Sequence, residues 1–318
     1  MDRTIGKFEI IRPLGHGAMG EVFLARDPSI GREVAVKTIL PSLVPMDDVR
    51  LRFAREAQAA GLLQHPNVAT VFEYGEDSDV LYLAMEYVPG EDLGALLQGE
   101  ELSGPQILEI VAQVCEGLHH AHKQGIVHRD IKPSNIMVLR DEEGAHAKIM
   151  DFGVAKTAHS DLTQSGQIMG TLAYMAPEYL RTGKASPQSD QFSVGVLLYE
   201  ALAGVKPFPG ETTGAVVYSI IHDLPRPLDP ECLQGVSPAV RTLVERALSK
   251  EPGERFAATG DLAKALRSAK NPLWSTTGDA TVVLDKPKPG TTERVKMDVP
   301  HAPRWPWALG LAAVAIGA

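Results

Sequence analysis

The sequence predicts an α+β chain in two lobes, a smaller β-rich one followed by a larger α-helical one. Three observations carry that expectation. Between residues 8 and 87, apolar residues recur in strand-length runs separated by turn residues, with one helical segment at 47–64. After Tyr87 the apolar spacing lengthens to three and four residues and holds to about residue 270. The 318 residues leave room for about two units of roughly 150 residues each. The division expected is therefore 1–88 for the first lobe and 89–270 for the second, then a linker at 271–304 and an apolar end at 305–318.

The strands of the first lobe are read in KFEIIRPL, EVFLARD, EVAVKTIL, VATVFEYG and VLYLAMEYV. The helix between them, DDVRLRFAREAQAAGLLQ, lines up Val49, Phe53, Ala57, Ala60 and Leu63 on one face. Asp47 and Asp48 sit at its positive end. In the second lobe Ser103-Gly-Pro-Gln106 has the form of a capping box ahead of ILEIVAQVCEGLHHAH. Ser186-Pro187 and Ser237-Pro238 each offer a cap with proline at the first helical position. From Asn271 the chain turns to Thr, Pro, Lys and Gly without periodicity, as a flexible linker does. It ends in WPWALGLAAVAIGA, where no charge occurs. Those fourteen residues would span roughly 21 Å as a helix, against a hydrocarbon core of roughly 30 Å, so they are read as the start of a transmembrane helix in a longer chain, the alternative being an apolar tail that docks or stays disordered. Lys286, Lys288, Arg294, Lys296 and Arg304 would hold the preceding side in the cytoplasm.

A formal charge of -9 without a basic stripe argues against a nucleic-acid partner. Cys115 and Cys232 fall in helical-looking apolar patterns, which suits free thiols in a reducing, cytoplasmic setting. MDRTIGKFEI runs directly into a strand pattern with no secretion signal.

Four separated groups carry chemistry. Gly15-His-Gly-Ala-Met-Gly20-Glu-Val22 lies between two strand patterns, where three glycines let a hairpin backbone close over phosphates. A dinucleotide-binding reading fails, because a strand follows where a helix should begin. Lys37 closes the strand EVAVK and would emerge beside that hairpin, with Glu56 on the following helix available to orient it. His128-Arg-Asp-Ile-Lys-Pro-Ser-Asn135 places Asp130 and Asn135 on one tight loop after a long helix. Asp151-Phe-Gly153 follows the strand AKIM, so Asn135 and Asp151 arrive at neighbouring strand ends as oxygen ligands of the kind Mg²⁺ takes while bridging phosphates. Phosphoryl transfer asks for positioning and charge neutralisation more than covalent chemistry. A covering loop, a lysine, a base and two metal ligands answer that demand together, although each alone could be an ordinary surface group.

With Ala176-Pro177-Glu178, these motifs resemble the eukaryotic-type protein kinase family, in family order, over about residues 8–270. The resemblance implies the bilobal protein kinase fold and ATP with Mg²⁺ as cofactors. It gives Asp130 the proton of the substrate hydroxyl, Lys132 the γ-phosphate, and Asn135 and Asp151 the metal. Lys37, held by Glu56, would meet the α- and β-phosphates. Gly15, His16, Gly17, Ala18, Met19 and Gly20 would cover them, with Leu14, Val22 and Ala35 also around the nucleotide. Met85, Glu86, Tyr87 and Val88 look like the segment that holds adenine, and Asp92 matches the position that reaches ribose. Glu178 would pair with Arg255, and Asp190 would brace the catalytic loop.

Lys132 after HRDI and Thr171 in GTLAY resemble serine/threonine rather than tyrosine kinases. V-P-G-E-D-L and the short activation segment look most like bacterial membrane-anchored members. One departure is Ala60, where many relatives carry a bulkier apolar residue. Protein substrates follow as partners, with a transient homodimer for autophosphorylation in trans at Thr163 or Ser165. The alternatives are a pseudokinase or nucleotide-binding scaffold, which usually lacks one of Lys37, Asp130 or Asp151, and a small-molecule phosphotransferase, which the APE motif opposes.

Overall fold

The computed structural model describes residues 3–17, 20–39, 47–78, 80–99, 102–142, 144–152 and 167–274, with 47–52, 56 and 167–169 described by backbone only. The chain divides into two units, 1–278 and 279–318, and every described residue belongs to the first. Alternation in the first lobe gives strands β1 (Thr4–Ile5), β2 (Phe8–Gly17), β3 (Gly20–Asp27), β4 (Arg32–Thr38), β5 (Val71–Asp77) and β6 (Val80–Glu86), with helix α1 (Asp47–Gly61) between β4 and β5. They form one antiparallel sheet in the order β1-β2-β3-β4-β6-β5. Register does the positioning: Gly15 lies opposite Val22, Val22 opposite Lys37, and Ala35 opposite Met85. Phe53 and Ala57 of α1 bury against Ala35, Leu83 and Met85 on that sheet, the contact expected of its apolar stripe.

Past Glu86 come β7 (Glu91–Asp92), α2 (Leu93–Gly99) and the long α3 (Gly104–Lys123), whose Ser103 backbone N–H donates to Gln106 at 2.9 Å as the capping box anticipates. Strands β8 (Ile136–Asp141) and β9 (Gly144–Ile149) form a hairpin that completes a small sheet in the order β7-β8-β9. The remaining helices are α4 (Gln167–Leu172), α5 (Pro177–Thr182), α6 (Pro187–Ala203), α7 (Thr213–His222), α8 (Val240–Ala247) and α9 (Thr259–Ala269). Pro187 is the first residue of α6, and Ser186 Oγ accepts from Ser189 N at 3.2 Å. Ser237-Pro238 departs from the same expectation. Helix α8 starts at Val240, and the Ser237 hydroxyl instead accepts from Ala239 N and donates to the Trp274 carbonyl.

One large apolar core joins α3, α6, α8 and α9 and reaches Ala60, Val68 and Phe152. Cys115 is buried and Cys232 partly so, and both are free thiols. Among the described residues no helix is long and apolar enough to cross a membrane. Residues 305–318 lie outside them, as does most of 271–304, but Asn271 to Trp274 form a turn whose tryptophan packs on the core.

Candidate active site

The loop between α3 and β8 is built on the Asp190 carboxylate, which enters from the first turn of α6. Its oxygens accept from His128 N and Arg129 N, each at 2.9 Å, and from His122 Nε2 at 2.8 Å. This holds Arg129 in the left-handed region at φ 70°, a conformation that costs a residue of its kind about 1–3 kcal/mol unless its surroundings enforce it. His128 is fully buried behind the loop. Its Nδ1 accepts from Asp130 N at 3.2 Å, so the proton sits on Nε2, which donates to the Met150 carbonyl at 2.8 Å. Its ring also meets Phe152 edge to face, with centroids 4.7 Å apart. One neutral imidazole therefore ties the Asp130 loop to the Asp151 segment.

Asp130 is drawn inward by its neighbours. Asn135 Nδ2 donates to its carbonyl at 2.7 Å and to Oδ2 at 2.9 Å, while Lys132 Nζ lies 3.1 Å from the same Oδ2. Lys132 also donates to Thr171 Oγ1 at 3.3 Å, so the segment before α5 and the loop share one ammonium. Because the Asn135 amide spends its nitrogen on Asp130, its oxygen is the end left for a hard cation. Met150 N donates to the Asn135 carbonyl at 2.9 Å, which brings Asn135 and Asp151 to the same end of the β8–β9 hairpin. Asp151 also has positive φ, 56°. Its Oδ2 lies 2.7 Å from Lys37 Nζ across the cleft. Two oxygen donors beside an ammonium are a set that would suit a hard divalent cation.

Lys37 thus meets Asp151, a pairing not anticipated from sequence. The Glu56 side chain expected beside it lies outside the described residues, as do Ala18 and Met19 of the glycine hairpin and Thr163 and Ser165. Gly15 and His16 sit on β2 opposite Val22 and Glu21, and Gly17 opposite Gly20. A β-carbon on Gly20 would come within 1.9 Å of the Thr38 carbonyl oxygen, so only glycine fits there. Leu14, Val22, Tyr87 and Met150 pack against the apolar cluster that contains Ala35 and Met85, an apolar floor suited to a purine. Val88 is buried. The Glu86 carboxylate turns to Lys148, 2.9 Å away, and accepts from Thr70 N at 3.2 Å. Asp92 caps α2 by accepting from Ala95 N at 3.0 Å, which engages one of its two oxygens.

At the base of the site Arg255, fully buried, grips Glu178 through two bonds of 2.7 and 2.9 Å. Burial would raise the Glu178 pKa, but the Arg255 guanidinium outweighs it and holds the carboxyl below its ordinary value. The Tyr174 phenol donates to Glu200, and burial together with that carboxylate pushes its pKa up. Ala60 is buried in the same core as Phe152. His122 went unnoticed in the sequence and His128 was given no role of its own, since a buried histidine leaves no periodic mark. Their only signal is placement just before and within the loop.

The protein kinase domain family model matches residues 8–266. Serine/threonine-protein kinase PknA of Mycobacterium tuberculosis is 37% identical over 272 residues, covering 83% of this chain and 62% of that protein. Serine/threonine-protein kinase pkn3 of Myxococcus xanthus is 39% identical over 260 residues, covering 78% of this chain and 47% of the relative. The chain thus spans less than two thirds of the length of these relatives. Among solved structures, the kinase domain of Mycobacterium tuberculosis PknI aligns with a TM-score of 0.63 at 27% identity, over 83% of this chain and 96% of that one.

Proposed function

Since the chain belongs to the protein kinase family, we propose that it transfers the γ-phosphate of ATP to serine and threonine hydroxyls of protein substrates. The observation that carries this reading is the loop geometry. Asn135 and Lys132 both bond the Asp130 carboxylate, at 2.9 and 3.1 Å, beside Asp151 after β9, which meets Lys37 of β4 at 2.7 Å. In this reading Asp130 takes the proton of the incoming hydroxyl as its oxygen bonds to the γ-phosphorus and the bond to the β-phosphate oxygen breaks. Lys132 neutralises charge beside the attacking oxygen. Lys37 holds the α- and β-phosphates, releasing Asp151 to the metal. Mg²⁺ held by Asn135 and Asp151 would supply charge neutralisation between the phosphates.

Finer assignments belong to the same proposal. Leu14 to Gly20, Val22, Ala35, Met85, Glu86, Val88 and Asp92 surround the nucleotide, and Glu56 orients Lys37. Thr163 or Ser165 is modified in trans within a transient homodimer. Residues 271–304 form a juxtamembrane linker, and 305–318 begin a membrane-crossing helix that keeps the catalytic lobes, 1–88 and 89–270, on the cytoplasmic side.

The test is incubation of the purified chain with labelled ATP, Mg²⁺ and a generic protein substrate, beside Lys37→Met and Asp130→Asn. Both variants should keep the fold by circular dichroism and lose at least a thousandfold in kcat, about 4 kcal/mol of transition-state stabilisation. Near-wild-type turnover by Asp130→Asn refutes the reading. In the same samples mass spectrometry should find phosphate on Thr163 or Ser165, and its absence there removes the autophosphorylation alone.

A further inference from the structure

Strand β9 is the outer strand of its sheet, and such an edge leaves a row of backbone groups that must be satisfied where it is buried. Here the row is met mainly by two side-chain amides. Gln113 of α3 accepts from Ala147 N at 2.7 Å and donates to the Ala145 carbonyl at 2.9 Å. Asn67, in the connection from α1 to β5, donates to the Ala147 carbonyl at 2.9 Å and to Gln113 Oε1 at 3.2 Å. The backbone continues the ladder: Ile149 N donates to the Asn67 carbonyl and Ala69 N to the Ile149 carbonyl, each at 2.9 Å. Both amides are buried.

Gly117 stands one turn beyond Gln113 on the same face of α3. A β-carbon there would lie 2.8 Å from the Asn67 carbonyl oxygen, the same atom that accepts from Ile149. Glycine inside a helix costs about 1 kcal/mol relative to alanine, and the close approach of the Asn67 turn is what it permits. Helix, turn and strand are therefore fitted at consecutive steps along β9, and the last step is two residues before Asp151. A slip of one residue in β9 would turn every side chain beyond it to the opposite face.

We propose that Gln113, Asn67 and Gly117 are positioning residues that fix the register of β9 and so place the Asp151 carboxylate at the metal. The inference rests on the reading of Asp151 as a metal ligand. Gln113→Leu and Gly117→Ala are compared with wild type and with Lys264→Leu, which breaks an exposed ion pair with Asp261 within α9 and does not touch Gln113. Hydrogen exchange of the 144–150 peptide should quicken at least tenfold in the first two. The free Mg²⁺ giving half-maximal phosphotransfer at saturating ATP should rise at least fivefold, with KM for the protein substrate within twofold. Lys264→Leu should move neither.

Should Gln113→Leu fail to fold, Gly117→Ala decides, because alanine favours the helix itself and disturbs only the joint. Unchanged Mg²⁺ dependence in Gly117→Ala overturns the proposal even if exchange quickens, as does an equal shift in Lys264→Leu. Absence of Mg²⁺-dependent transfer in the wild type overturns the role of Asp151 instead, and the positioning role with it.

Discussion

At the scale of single residues, the site is a set of short-range constraints that oblige unfavourable conformations. Arg129 and Asp151 both have positive φ, and each is held by a hydrogen bond or ion pair to a distant carboxylate or ammonium. His128 joins the two, so its removal should be felt twice. His128→Phe keeps an aromatic ring against Phe152 but removes the imidazole bonds to Asp130 N and the Met150 carbonyl, at about 1–2 kcal/mol for each. Thermal unfolding should show a loss of about 2–4 kcal/mol, and kcat should fall at least tenfold while KM for ATP changes less than threefold. A variant with wild-type stability and turnover would show that the imidazole is only filler. Asp130, Lys132 and Asn135 were legible in the sequence because they lie within six positions of one another. The Lys37–Asp151 contact was not, since it depends on how β4 and β9 face each other across the cleft, and nothing local to either residue encodes that.

At the scale of elements, α3 organises the helical lobe. One face carries Gln113 and Gly117, and beside it Glu109, which accepts from Gln113 Nε2 at 3.5 Å, and Glu116 clamp α9 through charge. Arg267 pairs with Glu109 at 3.1 Å and with Glu116, and Lys270 reaches Glu109 at 2.9 Å. Burial would raise the Glu109 pKa, but hydrogen bonds from Lys270 and Arg267 prevail and hold it below the ordinary value. A depressed pKa in the folded state means that the unfolded chain binds more protons as acid is added. The stabilisation is therefore present above about pH 4.3, the ordinary glutamate value, and is lost as pH falls through the folded-state pKa. Glu109→Gln should cost about 1 kcal/mol at pH 7, a small figure because these pairs are part-exposed, and the gap to wild type should close towards pH 3. Melting curves across that range check it, and a gap that widens in acid would contradict the assignment. The helices and strands themselves were readable from periodicity and caps. The start of α8 was not: the Ser237 hydroxyl accepts from Ala239 N in a turn ahead of the helix while donating to the Trp274 carbonyl from beyond the last helix, a tertiary partner that no local motif announces.

At the scale of the whole molecule, that same contact decides where the folded unit stops. Periodicity ends near Lys270, and α9 ends at Ala269. The chain nevertheless continues in contact: Trp274 N donates to the Asn271 carbonyl at 3.0 Å, Leu273 N donates to Asn271 Oδ1 at 3.0 Å, and the Trp274 ring packs on the core. A chain cut after Lys270 would leave the buried Ser237 hydroxyl without its acceptor and expose the surface that the tryptophan covers. The combined loss is about 2 kcal/mol, which in a unit of this size lowers Tm by roughly 4–8 °C. A chain cut after Gly278 keeps both contacts and should melt with the full chain while retaining its phosphotransfer. Equal melting of the two truncations would place the boundary at Lys270 and reduce the Trp274 turn to an ornament of the linker. The comparison of the Gly278 chain with the full one isolates the proposed anchor, since the two differ only in the Thr-, Pro- and Lys-rich stretch and the uncharged run from Trp305. In liposome flotation the full chain should rise with the lipid and the Gly278 chain remain at the bottom; co-sedimentation of both would leave 305–318 without a membrane role, with the catalytic reading of the first 278 residues unaffected.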